Sequence, residues 1–309
     1  NSNTGKIQVY EYNTSNVTGG SWGVYGQQLD GTTNSQFGRS VAMNKAGNII
    51  AVGAPNTTNG SIFVYQFVNG SWVQQGSTIQ APFGGAAYGQ VDCLHMNDAG
   101  TRILATGGVT NFTMYEFNGT NWTSVYTGPN SGAAQPGLAL ASTIDRIAHS
   151  NRATGITTIR DKISGTWTSV GTINPLATND AFGSLHMTSD GKGLVVGCRS
   201  SSDVYTIVYT ESRHTSAIGT IWNQKGQVLY STLFGTPLTN SRFGTNVFLS
   251  DDKRYVVIGD DRNPTLDGAQ IYVARYNDVT KLWEPYGNII NNSAYRYRAG
   301  FMSSDSRRL

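Results

Sequence analysis

Four histidines, two cysteines and nineteen carboxylates are the side chains with which this 309-residue chain could do chemistry. His95 and His186 stand in matching contexts, Leu94-His95-Met96 and Leu185-His186-Met187, but in repeats that are not neighbours. Zinc needs three or four converging ligands, and no such set is visible. His149 and His214 have no matching spacing, so all four histidines read as packing or surface residues. Cys93 and Cys198 fall at different positions of non-adjacent repeats. A disulfide needs Cα atoms within about 7 Å, so the two read as separate buried thiols that say nothing of redox compartment. The carboxylates form no suggestive pair away from turns, whereas a glycosidase needs two opposed acids. Neither a Gly-x-Ser-x-Gly elbow nor a phosphate-binding loop occurs. The expectation is therefore a chain that is not an enzyme, with a polysaccharide-acting enzyme as the alternative.

The elements that would position these groups follow from composition and spacing. Charged residues make up only 13% of the chain, aromatic residues 11% and hydrophobic residues 38%. Many aromatics, 37 glycines and few charges imply strands joined by tight turns rather than helices or disorder. A net charge of +3 creates no field that would attract nucleic acid. The basic residues Arg296, Arg298, Arg307 and Arg308 read as a solvated edge. No apolar run reaches the eighteen or so residues of a membrane span, and no signal peptide is visible. The chain opens on Asn1 and ends mid-pattern, which reads as part of a longer polypeptide.

The six tryptophans, Trp22, Trp72, Trp122, Trp167, Trp222 and Trp283, recur at spacings of 50, 50, 45, 55 and 61 residues. Four residues after each stands Gly26, Gly76, Tyr126, Gly171, Gly226 or Gly287. A second signature interleaves with the first: Phe37-Gly38, Tyr88-Gly89, Phe182-Gly183 and Phe243-Gly244, with degraded copies at Pro136-Gly137 and Ala299-Gly300. After each come an apolar stretch, a turn such as Lys45-Ala46-Gly47, and a second apolar stretch, which together predict a hairpin. Alternating segments such as Ile62–Phe67 predict a third strand, and the tryptophan segment a fourth. Four antiparallel strands per repeat of about fifty residues describe a β-propeller blade. The tryptophan would fill the gap between blades, its indole N–H meeting a carbonyl or water.

The segment FGRSVAMNKAGNIIAVGAP, Phe37 to Pro55, resembles the FG-GAP repeat of the integrin α-subunit propeller and of many secreted or surface proteins. The pattern extends over nearly the whole chain, but the closing triplet drifts to Thr106-Gly107-Gly108, Gly197-Cys198-Arg199 and Gly259-Asp260-Asp261, and the repeat at about 132–171 is the most decayed. The resemblance implies calcium loops of alternating aspartates. The corresponding turns here, Asn44-Lys45-Ala46-Gly47, Asn97-Asp98-Ala99-Gly100 and Ser250-Asp251-Asp252-Lys253, are short of carboxylates. They read as ordinary turns, and no cofactor is expected.

The chain is expected to form one all-β propeller domain over residues 1–309 with six blades, seven being the alternative. The sixth would join an N-terminal outer half (Lys6 to Trp22) to an inner half from Ala299 to Leu309, removing exposed sheet edges. The expected function is adhesion or recognition at an extracellular, cell or virion surface, or a structural module of a larger surface assembly. Protein or glycan partners would bind loops at one end of the ring, here Thr210 to Thr220, Arg262 to Gly268 and Asn13 to Ser21. Nucleic acid is not expected, nor membrane insertion in this segment. Nine Asn-x-Ser/Thr sequons include Asn56, Asn69, Asn118 and Asn121 at turns, where a secretory pathway would find them accessible for N-glycosylation.

Overall fold

A computed structural model describes residues 4–13, 21–57, 60–80, 94–106, 111–129, 137–151, 154–177, 182–199, 204–213, 219–235, 242–263 and 268–292. Among them the chain is all-β apart from one 3-10 turn, Ser231–Phe234. Five four-stranded antiparallel meanders follow one another. The first blade is Ser40–Met43, Ile49–Ala54, Ser61–Val68 and Ser71–Gln74. The second is Leu94–Met96, Arg102–Thr106, Asn111–Phe117 and Trp122–Pro129. The third is Leu138–Leu140, Arg146–Ser150, Thr157–Ile163 and Thr166–Ile173. The fourth is Phe182–Met187, Gly193–Arg199, Val204–Arg213 and Thr220–Gln224. The fifth is Phe243–Leu249, Tyr255–Asn263, Gly268–Asn277 and Leu282–Pro285.

The count of six blades, or seven, is not supported: five four-stranded blades form among the described residues. Ahead of them, Tyr10–Asn13 pairs with Ser21–Val24 and Lys6–Ile7 with Leu29–Asp30, a two-strand version of a blade's outer half. Residues 293–309, where an inner half was expected, lie outside the described residues.

Burial explains the strand patterns. The second strand of the first blade, IIAVGA, is buried at every position, as a strand covered on both faces must be. Its fourth strand, SWVQ, buries only the tryptophan. The chain divides into two compact units, Asn1–Gly128 and Pro129–Leu309. In the first, Ile49, Ala51, Ile62 and Val64 of the first blade pack with Leu94, Ile103, Ala105 and Trp122 of the second. In the second, Ala139, Ile159 and Val170 of the third blade meet Leu185, Leu194 and Val196 of the fourth. Val195 and Val208 of the fourth in turn meet Phe243, Val256, Tyr272 and Trp283 of the fifth.

The Phe-Gly signature is a packing device. Phe37 and Phe243 are buried, and Gly38 and Gly244 both take a φ of 85°. A Cβ on Gly197 would stand 2.0 Å from the Gly244 carbonyl oxygen, so only two glycines let the fourth and fifth blades approach there. Gly183 has open space where its Cβ would be. Tyr88 and Gly89 lie outside the described residues.

Three of the tryptophans tie their blade directly to the strands that precede it. The Trp72 indole N–H donates to the Tyr25 carbonyl at 2.9 Å, that of Trp122 to Gln75 at 3.1 Å, and that of Trp283 to Lys225 at 2.6 Å. Each acceptor is three residues beyond the preceding repeat's tryptophan. The glycine one residue further on is the floor of the contact. A Cβ on Gly26 would lie 2.7 Å from Trp72 Cδ1, and one on Gly226 2.5 Å from Trp283 Cδ1. A glutamine follows in two repeats. Gln27 donates to the Trp72 carbonyl and accepts its N–H, both at 2.8 Å, and Gln227 does the same to Trp283 at 2.7 and 2.8 Å. Trp22, which heads the series, is 62% exposed, whereas Trp72, Trp122, Trp167 and Trp283 are buried.

Trp222 departs from the rule. Its indole donates to the Thr220 hydroxyl at 3.0 Å, and that hydroxyl donates to the Val170 carbonyl at 3.4 Å, so a side chain relays the tie. Thr220→Ala is expected to lower stability by about 1 kcal/mol, the usual net value of a hydrogen bond, and Thr220→Ser to restore it; urea midpoints read both. A Thr220→Ala midpoint equal to wild type would show that the relay contributes nothing.

Candidate functional site

The hairpin turns that the FG-GAP resemblance would make calcium loops are braced by their own side chains. Asn44 Oδ1 accepts the N–H groups of Asn48 and Ile49, and Asn97 Oδ1 those of Thr101 and Arg102. Neighbouring turns also grip one another. Lys45 lies 3.5 Å from Asp98. Ser189 donates its N–H and hydroxyl to the Asp251 carboxylate at 2.7 and 2.8 Å, and Lys253 donates to Asp190 at 2.8 Å. Burial pushes the Asp190 pKa up, but the hydrogen bonds from Lys253, Thr188 and the Lys192 N–H outweigh it and hold the carboxyl below its ordinary range. Among the described residues no three His, Cys, Asp or Glu side chains gather as a metal site.

A buried charged cluster was not foreseen. Arg146 holds Asp161 through Nε at 2.6 Å and Nη2 at 2.8 Å, and its Nη1 lies 3.1 Å from Glu211 and donates to the Gly191 carbonyl at 2.9 Å. It bridges the third and fourth blades. Burial opposes its charge, yet hydrogen bonds to Asp161 and Glu211 raise its pKa and keep it ionised.

Of the histidines, His186 accepts the Leu249 N–H on Nδ1 at 3.3 Å and packs on Phe248 at 4.2 Å. His149 is buried beside Arg160, whose Nε donates to it at 3.2 Å. Burial first, then the Arg160 charge, lower its pKa from 6.5 to about 4. The neutral ring belongs to the folded state, so this contribution is fully present above about pH 6.5 and is lost as pH falls towards 4, up to about 3 kcal/mol. Urea midpoints are expected to drop between pH 7 and pH 4.5, and His149→Gln to flatten that drop. An unaltered pH profile in the variant would assign the acid sensitivity elsewhere.

Cys198 is buried in the core of the third and fourth blades. Cys93, His214 and the four terminal arginines lie outside the described residues, as do 14–20, 214–218 and 264–267 of the expected binding loops. Asn56, Asn69, Asn118 and Asn121 are all exposed. Asn121 Oδ1 already accepts the N–H and hydroxyl of Ser77, and Asn118 Oδ1 the N–H groups of Thr120 and Asn121.

One cleft of about 610 Å³ opens between the outer strands of the fourth and fifth blades. Thr210, Gln224, Lys225, Gly226 and Gln227 form one wall, and Tyr276, Lys281 and Leu282 the other. Lys225 Nζ sits 4.2 Å from the centre of the Tyr276 ring, a cation–π contact. Burial lowers the Lys225 pKa, with Asp278 opposing that shift. The signal for this cleft is non-local: the third residue after Trp222 meets an aromatic residue seven positions before Trp283.

A chain of five four-stranded meanders locked by repeated tryptophans is a β-propeller, and solved structures share that fold. A functionally unknown protein from Desulfotomaculum acetoxidans DSM 771 superposes with a TM-score of 0.62 at 11% identity, over 94% of this chain and 78% of the other. A "putative 6-phosphogluconolactonase" from Bacteroides fragilis NCTC 9343 gives 0.53 at 13% identity, covering 96% and 97%. Another so described from Bacteroides uniformis ATCC 8492 gives 0.51 at 12%, covering 94% and 97%. At these identities the likeness extends to the fold alone. No family model and no curated protein matches the chain.

Proposed function

We propose that this chain is a non-catalytic β-propeller of the FG-GAP type that recognises a protein or glycan at an extracellular, cell or particle surface, or builds a larger surface assembly. The observation that carries this reading is the use of its acids. Asp98, Asp161, Asp190, Asp251 and Glu211 face Lys45, Arg146, Lys253 and Ser189, where they join neighbouring strands and blades. The cleft between the fourth and fifth blades has no carboxylate in its lining. A glycosidase of the usual kind needs a pair of acids that face a substrate instead. The repeat pattern and low charge support the surface reading.

A glycan array and a pull-down on intact cells, both with the purified chain, test it. Specific retention on either is expected. Blank results on both, or release of reducing sugar from a polysaccharide panel, would overturn the reading. In a secretory host, Asn69 is the sequon expected to carry glycan first, since it is exposed at a hairpin tip with a φ of 50°. Peptide mapping after glycosidase treatment reads its occupancy.

A further inference from the structure

We propose that the cleft between the fourth and fifth blades binds a sugar acid, its carboxylate between Lys225 and Lys281 and its ring beside Leu282 and the edge of Tyr276. The comparison that carries this lies within the repeats themselves. At the junction of the N-terminal strand pair with the first blade, the residue three after the tryptophan is Tyr25. Its ring stacks on Phe67 at 3.9 Å and 25° and reaches Trp72 at 6.0 Å, so one aromatic closes over another. At the junction of the fourth and fifth blades, Lys225 takes the place of Tyr25, and Tyr276 that of Phe67. Tyr276 stands 5.2 Å from Trp283, as Phe67 does from Trp72. A slender ammonium has replaced a flat ring over the aromatic floor, and the cleft opens where the substitution occurs.

The base of Lys225 is rigid. Its N–H donates to the Val208 carbonyl at 2.8 Å and its carbonyl accepts the Trp283 indole. Its charge is half-buried, and no carboxylate lies within ion-pair distance among the described residues. Asp278, an acid that acts on it, is paired with Arg254. Asp252 accepts the Ser250 hydroxyl and the Arg254 N–H. Lys281 stands on the opposite wall, in a left-handed turn with a φ of 60° that closes on the Asn277 carbonyl at 2.9 Å. The lining thus carries two lysines and no carboxylate, a charge balance that favours an anion. The Thr210 hydroxyl and Gln224 Oε1 offer hydrogen bonds to a hydroxylated body, and Leu282 and Tyr276 an apolar side. The volume falls within the roughly 300–1,000 Å³ of small-molecule sites. A carboxylated monosaccharide unites these features. The inference rests on the recognition reading but concerns one subsite, so its failure would leave that reading to the array and the pull-down.

The test is titration of the intact chain with glucuronate, glucose and acetate, followed by amide chemical shifts. Glucuronate is expected to give saturable shifts confined to the 210, 224–227 and 276–282 segments, with glucose and acetate at least tenfold weaker. Lys225→Met and Lys281→Met are each expected to weaken glucuronate binding at least tenfold; Lys281→Met, at an exposed turn, guards against a folding defect in the first variant. Equal binding of glucose would overturn the role of the lysines, and equal binding of acetate the assignment to a sugar. Glucuronate shifts that fall elsewhere, or that persist unchanged in both variants, would overturn the site.

Discussion

Arg146→Met is expected to destabilise the protein by about 3–5 kcal/mol, the cost of breaking a buried ion pair by removing one partner. The guanidinium is 1% exposed and the Glu211 carboxylate 2%, so removing the arginine leaves a buried acid without its cation. Asp161 loses two hydrogen bonds at once, and the Gly191 carbonyl loses its donor. The cluster joins two blades, so the loss falls on the packing between them. Arg146→Lys is expected to lie between wild type and methionine, because an ammonium keeps the charge but cannot fork onto Asp161. The double variant Arg146→Met with Glu211→Met is expected to be less damaged than Arg146→Met alone, since the stranded charge is gone. Urea denaturation at pH 7 reads all three. If the single and double variants fell equally, the charge pairing would not be the cause.

The second large effect is expected at Gly226. Alanine there meets two penalties: a φ of 73°, which costs an L-residue about 1–2 kcal/mol, and a Cβ 2.5 Å from Trp283 Cδ1 and 2.8 Å from its Nε1. Trp283 is 1% exposed and cannot retreat without opening a cavity and releasing its bond to Lys225. A total of about 3 kcal/mol or more is expected, with a shift of tryptophan fluorescence towards the red. Gly287 is the internal control. It has the same φ of 73° but no atom within 4 Å of a Cβ. Gly287→Ala is therefore expected to show the conformational penalty alone. Equal losses in the two variants would mean that backbone strain, and not the indole, explains the glycine of the repeat.

The contrast between those glycines shows what could be read in advance. The spacing of tryptophan and glycine marked the blades, because one-residue signatures recur in register however far apart their partners lie. Their partnership was out of reach, since Gly226 and Trp283 belong to successive repeats and no local pattern links them. Gln27 and Gln227 were visible five residues after a tryptophan, yet only the fold shows them grasping the next tryptophan's backbone. Arg146 had no motif at all. It faces Asp161 across two strands, an ordinary pairing, while its tie to Glu211 depends on how two blades stack. The count of six blades is not supported for a different reason: it relied on joining the chain's two ends, which repeat spacing cannot establish. Lys225 was equally silent, as a lysine in a turn carries no sign of the ring beneath it.

The indole ties also have a direction. In the Trp72, Trp122 and Trp283 contacts the acceptor carbonyl precedes its donor in the chain by about fifty residues. On a ribosome the socket thus emerges before the plug that fills it, and each finished blade edge can serve as a template for the one still being made. Such an arrangement favours assembly in the order of synthesis, and a chain permuted between a socket and its plug would have to fold the same contacts without that head start.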